Sequence, residues 1–143
     1  MDVSENVREE TEQMNEELLI EALTNDNIDV FRKEFMDLHP YDQATFFLMV
    51  NPLQRKNIYF YLSPKEIGDL FENLDIDDDD YKKILAEMDP QYAADMLGSM
   101  YADNAVDVLN KLDKEQVASY LSIMDLEAAR EIKDLLHYEE FTA

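Results

Sequence analysis

The chain has no cysteine and no tryptophan, and among its 143 residues there are only 2 glycines, 4 prolines and 12 basic side chains against 34 acidic ones. Without cysteine there is no disulfide framework, no thiolate nucleophile and no zinc site built on sulfur. Two glycines cannot form a glycine-rich loop around a phosphate, and no serine stands in the strand-turn-helix setting of an activated nucleophile. The only histidines, His39 and His137, form no spaced metal-ligand pair. Catalysis has no foothold, so the chain is read as a non-enzyme. Its formal charge of −22 disfavours a nucleic-acid duplex or an anionic membrane surface as partner, and favours cations or basic protein faces that relieve self-repulsion. The longest strongly apolar run, Phe46 to Val50, is far short of a bilayer span, and the first residues lack a basic stretch followed by an apolar one. A cytosolic location is therefore expected, in a chain whose hydrophobic fraction of 46% is enough for one domain with a continuous core.

The few prolines are informative. Pro40, Pro52, Pro64 and Pro90 each precede a stretch of apolar and polar residues, and proline suits the first turn of a helix, where its missing N–H has no partner to lose. Continuing the step of twelve, with a two-residue insertion before Asp78, adds starts at Asp78, Ala102, Lys114 and Leu126. Ten residues after the starts lie Val50, Leu62, Leu74, Met88, Met100, Leu112, Met124 and Leu136. Seven after them lie Phe47, Tyr59, Phe71, Leu85, Leu97, Leu109, Leu121 and, as the one polar exception, Lys133. Asn51, Ser63, Asp77, Asp89, Asp113 and Asp125 stand just before starts, with side chains able to accept the unpaired N–H groups of a first turn. His39 is read the same way, as the cap of the helix at Pro40.

Helices of nine or ten residues with one- or two-residue joints must be antiparallel neighbours, and each buries its apolar stripe only by stacking. The expected fold is all-α, an α-solenoid of short helices resembling an armadillo superhelix, curving to the right or to the left. A longer acidic helix from about Val7 to Leu23 and another from about Ile28 to Asp37 precede it. Most of Tyr41, Phe46, Phe47, Tyr59, Phe60, Tyr61 and Phe71 are expected in the core, with Met88, Met96, Met100 and Met124 filling gaps.

The acids remain. The run from Asp75 to Asp80 alternates like a calcium loop, but Asp80 stands where a sharp turn needs glycine and Ala86 where a bidentate glutamate belongs. These acids are expected to open a helix, where its dipole favours negative charge. Asp69, Asp95, Asp107 and Glu131 recur five residues into successive units, and Asp103 lies four before Asp107 on the same helix face. Equivalent positions of a solenoid share a surface, so these carboxylates line a ridge. From the residues alone two readings stand: a solvated acidic face, or a surface lending one or two carboxylates to a hydrated Mg2+.

Leu38-His39-Pro40-Tyr41-Asp42, the unit from Met88 to Leu97 and the ending from Leu135 to Ala143 resemble the N-terminal domain of MgtE-type magnesium channels. The resemblance covers about residues 28 to 143. Residues 26–143 are then expected to be that domain, and residues 1–25 an acidic helix outside it. The resemblance implies a regulatory domain on the cytoplasmic side of the membrane, packing on CBS domains of the same polypeptide through Mg2+ to close the pore of a membrane-embedded homodimer. It implies Asp69 as an acid near that interface, and Asp103 and Asp107 as acids on the helix facing the CBS domains, with Asp95 added by the repeat. One departure is that two adjacent acids of the family become Asp103-Asn104. The competing reading is a metal-independent scaffold like the helical repeats of flagellar motor switch proteins, whose mark is an apolar or mixed-charge groove.

Overall fold

This computed structural model of the protein describes the backbone of residues 3–142 and the side chains of residues 14–136, so His137 and the ending from Tyr138 lie outside the described side chains. The described residues form ten helices and no strand: α1 Val3–Thr24, α2 Ile28–Met36, α3 Pro40–Met49, α4 Pro52–Tyr61, α5 Pro64–Phe71, α6 Asp78–Glu87, α7 Pro90–Ser99, α8 Ala102–Leu109, α9 Lys114–Ile123 and α10 Leu126–Thr142. All eight starts expected from the step of twelve are the first residues of α3 to α10.

The period has a local cause. In five of the six twelve-residue units ten residues are helical, the next is an apolar residue in extended conformation, and the last stands at the N-cap of the following helix; the unit from Ala102 differs, with eight helical residues ending on Asn110 in helical conformation. Val50, Leu62, Met88, Met100 and Met124 are these extended residues. Their ψ angles near 150° turn the chain while their side chains point inward, and four of the five are buried, Met100 being half-buried. The caps then take over. Asn51 accepts the Gln54 amide at 2.8 Å and Ser63 the Glu66 amide at 3.2 Å, each reciprocated by the Gln54 or Glu66 side chain in a capping box. Asp77, Asp89 and Asp125 accept the amides of Asp80, Gln91 and Ala128, and the Asp113 amide donates to Gln116 Oε1. His39 caps α3 through Nδ1, which accepts the Tyr41 amide at 3.1 Å. Tyr101 has no such acceptor, and α8 starts without a side-chain cap.

The chain divides into two compact units, Met1–Leu62 and Ser63–Ala143. In the first, α1 packs on α2 and α4, and α2 packs on α4. Leu19, Ala22 and Leu23 of α1 are buried with Phe31, Phe35, Phe46, Phe47, Ile58 and Tyr61. Phe31 is the hub: it stacks on Phe35 at 5.1 Å between ring centroids and meets Phe46 and Tyr61 at 6.3 and 5.6 Å. Nothing between Val3 and Thr24 is proline or glycine, and the first helix accordingly starts before Val7. It ends at Thr24, and just beyond it Asp26, with a φ of 56°, makes the left-handed turn that lets the Asn27 amide reach back to the Ala22 carbonyl. The Asp26 carboxylate also accepts the Tyr61 hydroxyl, which ties the end of α1 to the end of α4. Tyr41 and Phe60 are exceptions to the expected aromatic core, because both fall on outward faces of their helices and are exposed.

In the second unit α5 packs on α7, α7 on α9, and α8 on α10, so these helices meet the next but one. This is the stacking expected of a solenoid. Leu70, Phe71, Leu85, Met96, Leu97 and Leu109 are fully buried. Both glycines sit where helices approach closely: a β-carbon on Gly68 would lie 3.2 Å from Met100 Cγ, and one on Gly98 only 3.0 Å from Met124 Cγ. Lys133, the one polar residue at its place in the register, is exposed.

Candidate functional site

The carboxylates picked out by the repeat, Asp69 on α5, Asp95 on α7, Asp103 and Asp107 on α8, and Glu131 on α10, are all exposed. They are not all neighbours. Asp69 and Asp107 line two adjoining depressions in the second unit. The larger, about 330 Å³, is walled by Lys65, Asp69, Glu72, Ser99, Met100 and Tyr101. The smaller, about 180 Å³, is walled by Phe71, Glu72, Tyr81, Met100, Asn104, Asp107, Val108 and Lys111. Glu72 and Met100 belong to both, so one acid stands between the other two. Asp95 lies apart: its carboxylate accepts Gln91 Nε2 at 2.9 Å, and the same amide reaches the Ile123 carbonyl at 3.2 Å. That turns Asp95 toward the end of α9.

Local chemistry sets how these acids are held. Glu72 closes α5 as its C-cap, three residues after Asp69 and hence on the same side of the helix. One of its oxygens accepts Asn104 Nδ2 at 3.0 Å, and the Asn104 backbone amide donates to Asp103 Oδ1 at 3.0 Å. Asn104 thus touches both acids, and an aspartate in its place would set a third negative charge against Glu72. Lys65 Nζ stands 3.8 Å from Asp69 with both side chains largely exposed, a contact weak in water and weaker in salt. Lys111 is drawn over the Tyr81 ring, 5.3 Å from its centre. Burial, with the Asp75 charge second, holds the Tyr81 hydroxyl pKa above its ordinary value, and this hydroxyl donates to the Leu74 carbonyl at 2.9 Å. Lys82 pairs with Asp113 at 3.1 Å, and that hydrogen bond and charge raise the ammonium pKa. Tyr92, raised by burial and then by Glu66, keeps its hydroxyl neutral.

Glu72 and Asn104 were not among the residues chosen from the repeat. The spacing of Glu72 three after Asp69 is a visible signal; its meeting with Asn104 on another helix is not. The acids from Asp75 to Asp80 act as the sequence suggests: Asp77 accepts the Asp80 amide at 2.9 Å, and Asp78, Asp79 and Asp80 fill the first turn of α6.

The oxygen donors at the two depressions are carboxylate, amide and hydroxyl, of the kind a hard cation takes, and they stand beside the Met100 thioether and the ammonium groups of Lys65 and Lys111. Among the described residues no three His, Asp or Glu side chains converge on one point. Among the described residues the surface therefore offers no closed cage for an ion.

Comparison with known proteins places this arrangement in context. The sequence profile described as the MgtE intracellular N domain matches residues 38–141. The protein described as magnesium transporter MgtE from Enterococcus faecalis (strain ATCC 700802 / V583) is 50% identical over 126 residues, which make up 88% of this chain and 28% of that protein. A crystal structure described as the soluble part of a magnesium transporter matches with a TM-score of 0.84 at 49% identity, over 89% of this chain and 50% of that one. The chain thus spans under a third of the curated relative and half of the solved one.

Proposed function

The chain belongs to the MgtE intracellular N domain family, and from that premise we propose that it is the regulatory, Mg2+-sensing domain of a magnesium channel. In this reading residues 26–143 are the sensing domain and residues 1–25 an appended acidic helix. The domain lies on the cytoplasmic side of the membrane in a homodimeric parent protein, and it packs on CBS domains of its own polypeptide to close the pore when Mg2+ is high. The observation that carries the proposal is the open, incomplete carboxylate surface at α5 and α8: Asp69, Glu72 and Asp107 around two adjoining depressions, with Asp103 beside them through Asn104.

Such a surface works by difference. The domain alone offers each ion one or two carboxylates, so its own affinity is about millimolar, the weak end of acidic oxygen sites. When an opposing surface brings further oxygens, Mg2+ supplies positive charge that offsets repulsion between two acidic faces. Asp103 and Asp107 provide oxygen to that junction, and Asp69 and Glu72 set the field beside it. Asp95, held by Gln91, extends the acidic surface toward α9. The bias toward the closed arrangement equals the difference in ion affinity between the two arrangements and cannot exceed it.

The test is the joint replacement Asp103→Asn and Asp107→Asn in the full-length channel. Both side chains are exposed, so charge is lost at nearly constant volume and the fold stays intact. Limited proteolysis of the segment joining this domain to the CBS domains is compared with and without Mg2+. The parent is expected to gain protection with Mg2+ and the variant to lose that response, with its pore open at Mg2+ levels that shut the parent. A variant that keeps the full Mg2+ protection would leave these acids as ordinary solvated residues and sink the assignment.

A further inference from the structure

In a chain of net charge −22, α4 is the one helix with no aspartate or glutamate, and it carries Arg55 and Lys56. Its inward face is fully used: Ile58 and Tyr61 are buried, and Arg55 Nη1 donates to the Val50 carbonyl at 3.1 Å. Its outward face is Leu53, Lys56 and Phe60, at spacings of three and four that place them in one line. Leu53 is 76% and Phe60 74% exposed. A large aliphatic and a large aromatic side chain left in water on either side of a lysine mark a binding face with a positive centre.

The complementary face is on α1. Leu19, Ala22 and Leu23 face the core, while Met14, Glu17, Leu18 and Glu21 look outward in one stripe, Met14 at 69% exposure and Leu18 at 37%. Apolar and acidic side chains there alternate as apolar and basic ones do on α4. The two faces cannot meet within one molecule. Both helices spend their inward sides on the core of the same unit, and the bond from the Tyr61 hydroxyl to Asp26 holds their ends in that arrangement.

We propose that the outward face of α4 docks on the outward stripe of α1 in a second copy of this chain, with Lys56 against Glu17 and Glu21 and with Leu53 and Phe60 against Met14 and Leu18. A two-fold axis makes the contact twice, each copy giving its α4 and receiving on its α1. Charge complementarity favours this occupant over a lipid surface. Residues 1–62 hold 5 basic and 13 acidic side chains, so a second copy and an anionic bilayer both repel the unit as a whole; the α1 stripe differs in setting exposed Met14 and Leu18 beside Glu17 and Glu21, which matches the apolar as well as the basic part of the α4 face. This surface is in the first unit and does not rest on the acids of α5 and α8.

The experiment is sedimentation equilibrium of the 143-residue chain at moderate ionic strength, which screens the repulsion between two acidic molecules. The parent is expected to form dimers. Leu53→Glu should weaken them by about tenfold or more, as loss of a central apolar anchor does. Lys56→Glu and Glu17→Lys should each be monomeric alone and form a heterodimer when mixed, because mixing restores opposite charges across both contacts. Leu53, Lys56 and Glu17 are exposed, and circular dichroism of each variant confirms that loss of association is not loss of fold. A parent that stays monomeric at millimolar concentration, dimers unaffected by Leu53→Glu and Lys56→Glu, or a mixture that remains monomeric would each overturn the proposal. So would a chain that stays monomeric but sediments with vesicles of anionic lipid through the same side chains.

Discussion

Leu97→Ala tests the repeat where it is most heavily loaded. Leu97 stands seven residues after the start of α7, the helix that packs on α5 and on α9, and its side chain has no exposure to solvent. Its neighbours leave little room to close a void: Ala93, Ala94 and Met96 are fully buried, and Gly98 already brings α7 within contact of Met124. Truncating a fully buried leucine costs the transfer free energy of the lost carbons plus a cavity, about 3–5 kcal/mol where the site cannot relax. Domains of this kind hold about 5–15 kcal/mol in all, so the loss is a large share of the total. With a urea m-value of about 2 kcal/mol/M, the midpoint should fall by about 1.5–2.5 M. Urea unfolding followed by far-ultraviolet circular dichroism reads it directly. Leu126→Ala is the control, since that side chain is 85% exposed and its loss should cost no more than about 0.5 kcal/mol. Midpoints that move equally little in both variants would refute the register, and a drop in Leu126→Ala alone would invert it.

Two further tests concern local chemistry. Ser63→Ala removes the acceptor of the Glu66 amide in the capping box that opens α5, and should cost about 1 kcal/mol, seen as a Tm lower by about 2–4 °C; an unchanged Tm would show that water replaces the cap without loss. Tyr61 is pushed up to about 12, chiefly by burial and then by its bond to Asp26. Because the folded value is raised, its contribution to stability is complete below the ordinary tyrosine value and is lost as pH rises from there through about 12. Ultraviolet titration of the parent minus Tyr61→Phe should therefore show one late-ionising phenol, and a difference curve centred at the ordinary value would contradict the burial.

Much of the fold was legible because the signals that start and stop these helices are local. Proline at a first helical position, an acceptor side chain before it and an apolar residue ten later act within one turn of chain, and the starts from Pro40 to Leu126 follow from them. His39 as a cap and Asp77 to Asp80 as a helix opening were legible for the same reason. The exceptions arise where local rules compete with neighbours. Tyr41 and Phe60 are aromatic and yet outside, because helical phase, not residue type, decides which face looks inward. Met100 is half-buried where its counterparts Met88 and Met124 are buried, because it lies in the wall of both acidic depressions.

Spacing alone determined that the chain is all-α, that its helices from Pro40 onward start at steps of twelve with one two-residue insertion, and that acids recur at equivalent places. Only the tertiary structure decided which acids are neighbours. Glu72 meets Asn104 across thirty-two residues, and Asp95, in phase with Asp69 and Asp107, is turned away by Gln91. Only the packing, likewise, explains both glycines by the methionines that would collide with a β-carbon, and leaves the one basic helix with its apolar face to solvent. The reason is physical: hydrogen bonds that start a helix are made within four residues, whereas the surroundings of a side chain on a stacked helix are set by residues far along the chain.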